Sequence, residues 1–509
     1  MLETPFPGAA GISEVDDNLL QNILAKLPAK SFASAACVSR SWNAICTRIL
    51  SHPNFISALS LNTSLPEAVK EVTTKVLSGP IRPHFAILSI CPAFGLDQAH
   101  RLVVEILGSR IPIITCEVGG IIGRDAKTDQ FAEVRFPYFD VDDDLETASS
   151  GGISLTVGFL PGLKVDAVPL LDTEEGPNID KFVMDLRDFS ASVSGRTSPE
   201  AIIMFGDSEA DMKPVVEKLD YALSQQTVIA GNESCSFRHS STDNSEIIST
   251  HRGQEPPYKR AVALVFARER TTLDGLGQIE FHFAVGAGVN AVGPRYRVVS
   301  AKMRRREFTT WLTAKREGEN VTLDGEQMLN DFELEMEDLV PNYDLYIGVR
   351  KKRKYSIGSE QVKSVMSLAY HPVHEGDEQY LYVKGWDIKT GDTFCFYIPD
   401  REYALASCGT VSENFGKLKH KEIIGGFVFA CCGRGEMFFE RLNVDSSPIL
   451  DNFPGIPLGG MFCNAEIGRG SPNLGQCDEG EEQTFIDSHS HVYSCIYLLM
   501  SYSLPSSRP

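Results

Sequence analysis

The sequence is short of the features that would take a chain into or across a membrane. Its longest apolar run, near Tyr493 to Leu504, is interrupted by Ser and Tyr, and it is too short to cross about 30 Å of hydrocarbon. Met1 to Pro5 offer no basic stretch followed by an apolar one, so no secretory leader is expected. The twelve cysteines follow no framework spacing among 509 residues. That suits free thiols in a reducing compartment, and residence in the cytoplasm and/or nucleus is the expectation. Positive charge is scarce: 48 Lys and Arg stand against 68 Asp and Glu, a net charge of −20. Such a surface repels phosphate, so neither nucleic acid nor an anionic membrane is an expected partner unless a local basic patch overrides the field. No Gly-x-Gly-x-x-Gly opens a helix after a strand, and no Walker lysine is present, so no cofactor is implied. His371-Pro-Val-His374 and His489-Ser-His491 lack cysteine pairs at zinc spacing, so no metal site is expected either.

Apolar side chains, in contrast, are plentiful. At 42% hydrophobic and 23% charged residues, the chain can bury a real core, and its length corresponds to roughly three domains. Residues 12–60 read as a helical module. Leu19, Leu20, Ile23, Leu24 and Leu27 form one apolar stripe at helical spacing behind the cap-type residues Asp16, Asp17 and Asn18. Pro28 stops that helix, because it lacks an N–H and biases Leu27 away from the α region. A second helical segment carries Phe32, Ala35, Ala36, Val38 and Trp42 and ends near Ile45 and Cys46. A module of about 50 residues with so much apolar surface needs a partner, or the rest of the chain, to dock on.

From residue 80 the grammar becomes α/β. His84 to Ile90 is a continuous apolar run, as in a strand buried on both faces. A helix with Leu102, Val103, Ile106 and Leu107 on one face follows, and then a strand from Ile111 to Cys116 that ends on Gly119, Gly120 and Gly123. Ala201 to Phe205, a helix marked by Val215, Val216, Leu219 and Leu223, and Thr227 to Ala230 repeat the pattern, again closing on a glycine, Gly231. Gly426 to Ala430 and the stretch from Phe453 to Phe462 make a third strand–crossover–strand unit around Cys431-Cys432-Gly433-Arg434-Gly435. The expectation is a weak internal repeat of strand, crossover, strand and Gly-rich turn. Any α/β chain can produce the same grammar by default.

Polar stretches separate the units. Asp140 to Gly152 carries five acids, Asn232 to Lys259 is rich in Ser, His and Pro and reads as a mobile insertion, and Ser471 to Glu482 is a further acidic loop. A mixed region after Tyr296, with a helix from Gln327 to Leu339, leads to a strand from Tyr343 to Val349, and a domain division is expected near Gly293-Pro294. Arg350 to Lys354 are five consecutive basic residues. They read either as a solvated turn after that strand or as an import signal or contact patch, and Arg304 to Arg306 invite the same choice.

The stretch NLLQNILAKLPAKSFASAACVSRSWNAIC resembles an F-box over about forty residues, through its Leu-Leu-x-x-Ile-Leu-x-x-Leu-Pro core and Val38-Ser39-Arg40-Ser41-Trp42. It departs from the family at Val15-Asp16, where Leu-Pro is usual, and at Ser39, where a Cys often stands. CCGRGEMFFERL (431–442) and FPGIPLGGMFCNAEIGRG (453–470) resemble the C-terminal half of the FIST ligand-sensing module, and IPIITCEVGGIIG (111–123) resembles its N-terminal half. Together the order resembles the FIST-type F-box only proteins across nearly the whole chain. Ala465 replaces a usual glycine of that family, which implies a tighter pocket or a lost ligand.

The resemblance implies a flexible tail (1–11), an F-box (12–60), a FIST N-terminal domain (80–293, with an insertion at about 232–259) and a FIST C-terminal domain (294–504). The fold class is then an α+β multidomain chain, a small helical module before a two-part body of mixed sheets. It further implies a non-catalytic substrate receptor of a Skp–cullin–F-box ubiquitin ligase. In that role Leu19, Leu20, Ile23, Leu24, Leu27, Pro28, Val38 and Trp42 contact the Skp-type adaptor and, through it, the cullin and RING protein. The body would select a protein substrate. The alternative is a sensor with no ligase role.

Chemistry in the Gly-rich pair can be read residue by residue. A strand ending in Cys432-Gly433-Arg434-Gly435 could aim backbone N–H groups and a guanidinium at a carboxylate or phosphate. Glu440 and Glu466 could answer an ammonium, and with Cys463 and Asn464 these residues outline a site for an amino-acid-like ligand. The competing reading pairs Arg434 with Glu440 or Glu466 and leaves the glycines to packing. A nucleophilic Cys431, Cys432 or Cys463 would need a base, with His420, His489 and His491 as candidates, but structural thiols are the favoured reading.

Overall fold

A computed structural model describes residues 16–136, 151–173, 176–208, 210–241, 259–270, 276–304, 308–336, 344–355, 363–385, 388–469 and 490–504. The expected tail (1–11), most of the acidic stretch after Asp140 and the loop from Ser471 lie outside these residues. Three helices open the chain: α1 (Asp17–Leu24), α2 (Ala29–Ala36) and α3 (Arg40–Ile49). Pro28 sits at the N-cap of α2, and Ser39 caps α3 by accepting the Trp42 N–H at 3.1 Å. The second helical segment is therefore two helices, because Ser39 supplies a new start signal. Leu20, Leu24, Phe32, Ala35, Ile45 and Cys46 form their small core. Ala29 and Leu50 lean on the core of the body, and the Ala29 N–H donates to Leu77 O.

The body is built on three sheets around one apolar centre. The first carries the strands Asn54–Ser60, Ile153–Phe159, Phe85–Ile90, Ile113–Glu117 and Phe237–Ser240 in that spatial order. In the second, Val228–Asn232 and Ala201–Gly206 lie between Glu466–Gly468 and Lys259–Arg268. The third runs Gln278–Gly286, Cys495–Ser503, Glu422–Cys431, Leu458–Cys463, Gly120–Arg124 and Phe131–Arg135. Alternation along a strand splits each sheet between two cores. Phe85 and Ile87 point into the common centre with Phe205, Phe427 and Ile496, while Ala86, Leu88 and Ile90 pack under the helices Leu65–Val76 and Leu96–Leu107.

All three expected strand–crossover–strand units are parallel pairs: Phe85–Ile90 with Ile113–Glu117, Ala201–Gly206 with Val228–Asn232, and Glu422–Cys431 with Leu458–Cys463. The strand that follows each unit leaves its own sheet. Gly120–Arg124, after the first unit, pairs with Leu458–Cys463 of the third. Phe237–Ser240, after the second, pairs with Ile113–Glu117 of the first. Glu466–Gly468, after the third, pairs with Val228–Asn232 of the second. The units thus exchange strands in a closed cycle, and each returning strand is covered by a neighbour's next strand.

Between Gln278–Gly286 and the helix Arg401–Gly416, the chain makes a closed six-stranded barrel. Its own core includes Tyr296, Leu312, Ile347, Phe394 and Phe396, and the helix Gly325–Glu335 contributes Met328 and Phe332.

Four expectations are corrected. The division at Gly293-Pro294 falls inside the barrel strand Val289–Arg304, and the preceding Gln278–Gly286 already pairs with the C-terminal Cys495–Ser503. Residues 54–60, placed with the helical module, are the first strand of the body, because Asn54 to Ser60 pair with Ile153–Phe159. Within the expected insertion at 232–259, Phe237–Ser240 is an ordered strand, and 242–258 lie outside the described residues. Arg350 does not open a turn, since the strand Tyr346–Tyr355 continues through the basic run and Lys351 is buried 3.8 Å from Asp392.

Candidate functional site

Two surfaces carry the residues singled out in the sequence. The first is the helical module. Its apolar stripe is split: Leu20 and Leu24 are buried in the module itself, whereas Leu19 is 55% exposed and Ile23 49%. Val38, in the turn before α3, is 63% exposed. Leu27 and Trp42 are half-buried beside the small core, and Pro28 is exposed. Leu19 and Ile23 lie one turn apart on α1, so they share a face of that helix.

The second is the Gly-rich pair, where the geometry departs from the expected ligand cradle. Arg434 is fully buried. It donates from Nε to Asp445 Oδ1 at 2.8 Å and from Nη1 to Tyr493 O at 2.8 Å, its Nη2 lies 3.3 Å from Cys408 Sγ, and its guanidinium stacks 4.9 Å above Phe439. Its carboxylate partner is Asp445, neither Glu440 nor Glu466, and its donors are spent inside the protein. Glu440 is exposed and pairs with Arg401 at 2.7 Å. Glu466 is fully buried, and its Oε2 accepts from Ser494 Oγ at 2.7 Å. Burial, reinforced by the neighbouring Cys431, pushes its carboxyl well above the usual range.

The glycines serve close packing. A Cβ on Gly433 would meet the Tyr493 ring at 2.7 Å, and Gly435 has φ +92°. Cys463 is buried and its thiol is pushed up by desolvation. Cys432 is half-buried, its thiol lowered chiefly by a hydrogen bond with Cys431, and it donates to Asn464 Oδ1 at 3.2 Å. Among the described residues no histidine is hydrogen-bonded to these thiols. His420 is exposed, and His491 is buried against Gly468 O with its pKa lowered to about 4 by desolvation. No group of three or more ligating side chains stands together among the described residues.

A small cleft opens where the three units meet. The carboxyl ends of the three returning strands border this cleft of about 180 Å³, with Glu117, Val118 and Gly119 from the first, Asn232, Ser234, Cys235 and Ser236 from the second, and Phe462 and Asn464 from the third. Ligands of open α/β sheets bind where parallel strands end and the chain switches direction. Of the expected ligand residues only Asn464 lines this cleft; Glu117 and Asn232 were missed. Their one sequence signal is position, each being the last residue of a returning strand.

Known families match this layout. The F-box domain family matches residues 12–53, and the FIST C domain family matches residues 334–469. The chain belongs to the F-box proteins, with a FIST-type body. It is 41% identical over 515 residues to the F-box/LRR-repeat protein At5g63520 of Arabidopsis thaliana, covering 99% of this chain and 96% of that protein. Over a shorter stretch of 79 residues it is 34% identical to F-box only protein 22 of Homo sapiens and of Pongo abelii, 14% of this chain and 20% of theirs. F-box domains in general bind Skp-type adaptors, and the proteins that carry them are generally non-catalytic substrate receptors of ubiquitin ligases. No helix among the described residues is long and apolar enough to cross a membrane.

Proposed function

We propose that this chain is the substrate receptor of a Skp–cullin–F-box ubiquitin ligase. The helices α1 to α3 dock the Skp-type adaptor, and through it the cullin and the RING protein. The body selects a protein for ubiquitination and degradation under control of a small ligand, with residues 80–293 supplying the N-terminal FIST half. The chain contributes proximity rather than chemistry, raising the effective concentration of substrate near the charged conjugating enzyme.

The observation that supports this most is the division of labour along α1. Leu20 and Leu24 hold the module together, which leaves Leu19 and Ile23, with Val38, free to meet a partner. The test is co-purification of the full chain with a Skp adaptor, wild type beside the double variant Ile23→Asp, Val38→Asp. Both positions are exposed, so the thermal unfolding of the body should stay unchanged while adaptor binding is lost. Retained binding by the double variant, or none by the wild type, overturns the ligase reading, and the second result leaves a ligand sensor.

A further inference from the structure

The cleft between the returning strands has a composition that selects one class of ligand. Its volume of about 180 Å³ is close to the 150 Å³ or so that accommodates benzene, so it suits a molecule of roughly ten heavy atoms or fewer. A whole peptide or nucleotide would not fit inside it.

Charge decides the rest. Glu117 is the one ionisable carboxyl among the described lining residues, and no Lys, Arg or His joins it. No ion pair or hydrogen bond to that carboxylate is present among the described residues. An anion would look for donors instead, and five of the lining backbone N–H groups are already used. Those of Glu117, Val118, Gly119 and Cys235 donate to Ser236 O, Ile90 O, Phe462 O and Gly206 O, and that of Ser234 donates to Asn232 Oδ1. Two of these bonds, Glu117 to Ser236 and Gly119 to Phe462, join different units, so the strand exchange itself occupies donors that an anion would need. Arg434, the cation expected to hold a ligand carboxylate, is buried on Asp445 and does not line the cleft. What remains is the Glu117 carboxylate with no cation beside it, the hydroxyls of Ser234 and Ser236, the side-chain amides of Asn232 and Asn464, and an apolar wall from Val118 and Phe462.

We propose that this cleft binds a small primary amine that carries no carboxylate, its ammonium on Glu117 and its hydrocarbon part against Phe462 and Val118. A charge-assisted hydrogen bond to Glu117 supplies the specificity, and occupancy braces the point where all three units meet. The assignment rests on the ligand-controlled reading of the body only for its consequence. Amine binding and adaptor docking are measured separately, so either can fail alone.

The experiment is isothermal titration and thermal unfolding of the full chain with isobutylamine, valine and isovalerate, which share a branched side chain and differ in charge. Isobutylamine should bind and raise the unfolding temperature, valine should bind markedly more weakly, and isovalerate should not bind. Glu117→Gln should weaken the amine by about tenfold or more without lowering the ligand-free unfolding temperature. Ser208→Phe, at an exposed position on the rim, should block the amine as well, and it carries the test if the Glu117 variant fails to fold. Valine binding as tightly as the amine, isovalerate binding, no amine binding at about 10 mM, or full amine affinity in either folded variant overturns the proposal.

Discussion

At the scale of single residues, the Gly-rich motif is a structural lock. The Arg434 guanidinium and the Asp445 carboxylate are both without solvent exposure, and each would be a bare buried charge without the other. Arg434→Leu should therefore cost about 3–5 kcal/mol, the usual loss when one partner of a buried pair is removed. Glu440→Gln, in the same motif but exposed, should cost no more than about 0.5 kcal/mol. Urea unfolding of the two variants checks the contrast; equal losses would mean that the motif contacts are interchangeable. Glu133 adds a pH dependence to the same cluster. Its carboxyl is pushed up to about 7 by burial and by the nearby Asp445 charge, from 4.5. Between those values the folded protein holds a proton that the unfolded chain has released, so this group's contribution to stability falls as pH rises. Glu133→Gln keeps an acceptor for the Ser446 N–H and removes the titration. Its unfolding temperature should match the wild type near about pH 4.5 and exceed it above about pH 7. A constant difference across that range would show that Glu133 is not the titrating group.

At the scale of elements, the strands with continuous apolar runs were the legible ones. Phe85–Ile90 and Ala201–Gly206 are buried on both faces, which selects a near-continuous apolar run with Ser89 as the polar exception, and that pattern needs no knowledge of a partner. The exchanged strands were not legible. Gly120–Arg124 and Glu466–Gly468 are short, rich in glycine or charge, and take their place in the exchange from partners hundreds of residues away. The basic run misled for a related reason: charge suggests solvent, but Lys351 is buried beside Asp392 because the barrel strand carries it inward. The candidate site divided along the same line. The apolar stripe of α1 was visible from periodicity, whereas Asp445 as the partner of Arg434 and Glu117 as a cleft carboxylate depend on three-dimensional closure. Gly120 tests one exchanged strand directly. A Cβ there would lie 2.4 Å from Val134 O and 2.7 Å from the Phe462 ring, and the carbonyl is backbone that cannot swing away. Gly120→Ala should cost about 1–3 kcal/mol through overpacking, read by thermal unfolding; an unchanged transition would mean that the strand can separate from Leu458–Cys463 at little cost.

At the scale of the molecule, the cyclic exchange and the barrel make opposite demands on the chain. Each of the three units covers another's returning strand, so no unit keeps all its hydrogen-bonded neighbours alone. The barrel has a separate core, takes part in none of the three exchanges, and begins and ends on adjacent strands, since Val289 pairs with Pro399. A chain with residues 290–398 replaced by a short Gly/Ser linker therefore closes its loop over a small distance at little entropic cost. It should retain a cooperative unfolding transition and, through α1 to α3, its binding to the Skp adaptor. A fragment ending at residue 270 keeps all of the first two units, yet it loses Leu458–Cys463 beside Gly120–Arg124 and Glu466–Gly468 beside Val228–Asn232. It exposes bare strand edges and the part of the common apolar centre that Phe427, Phe429, Ile496 and Leu498 cover, a combination that leads to aggregation. Amide hydrogen exchange distinguishes the two. Protection at Ile113–Glu117 and Val228–Asn232 should survive excision of the barrel and disappear in the fragment, because the body becomes stable only when the third unit closes the cycle. A soluble, protected fragment would show instead that the two N-terminal units fold as an independent domain, with the exchange added afterwards.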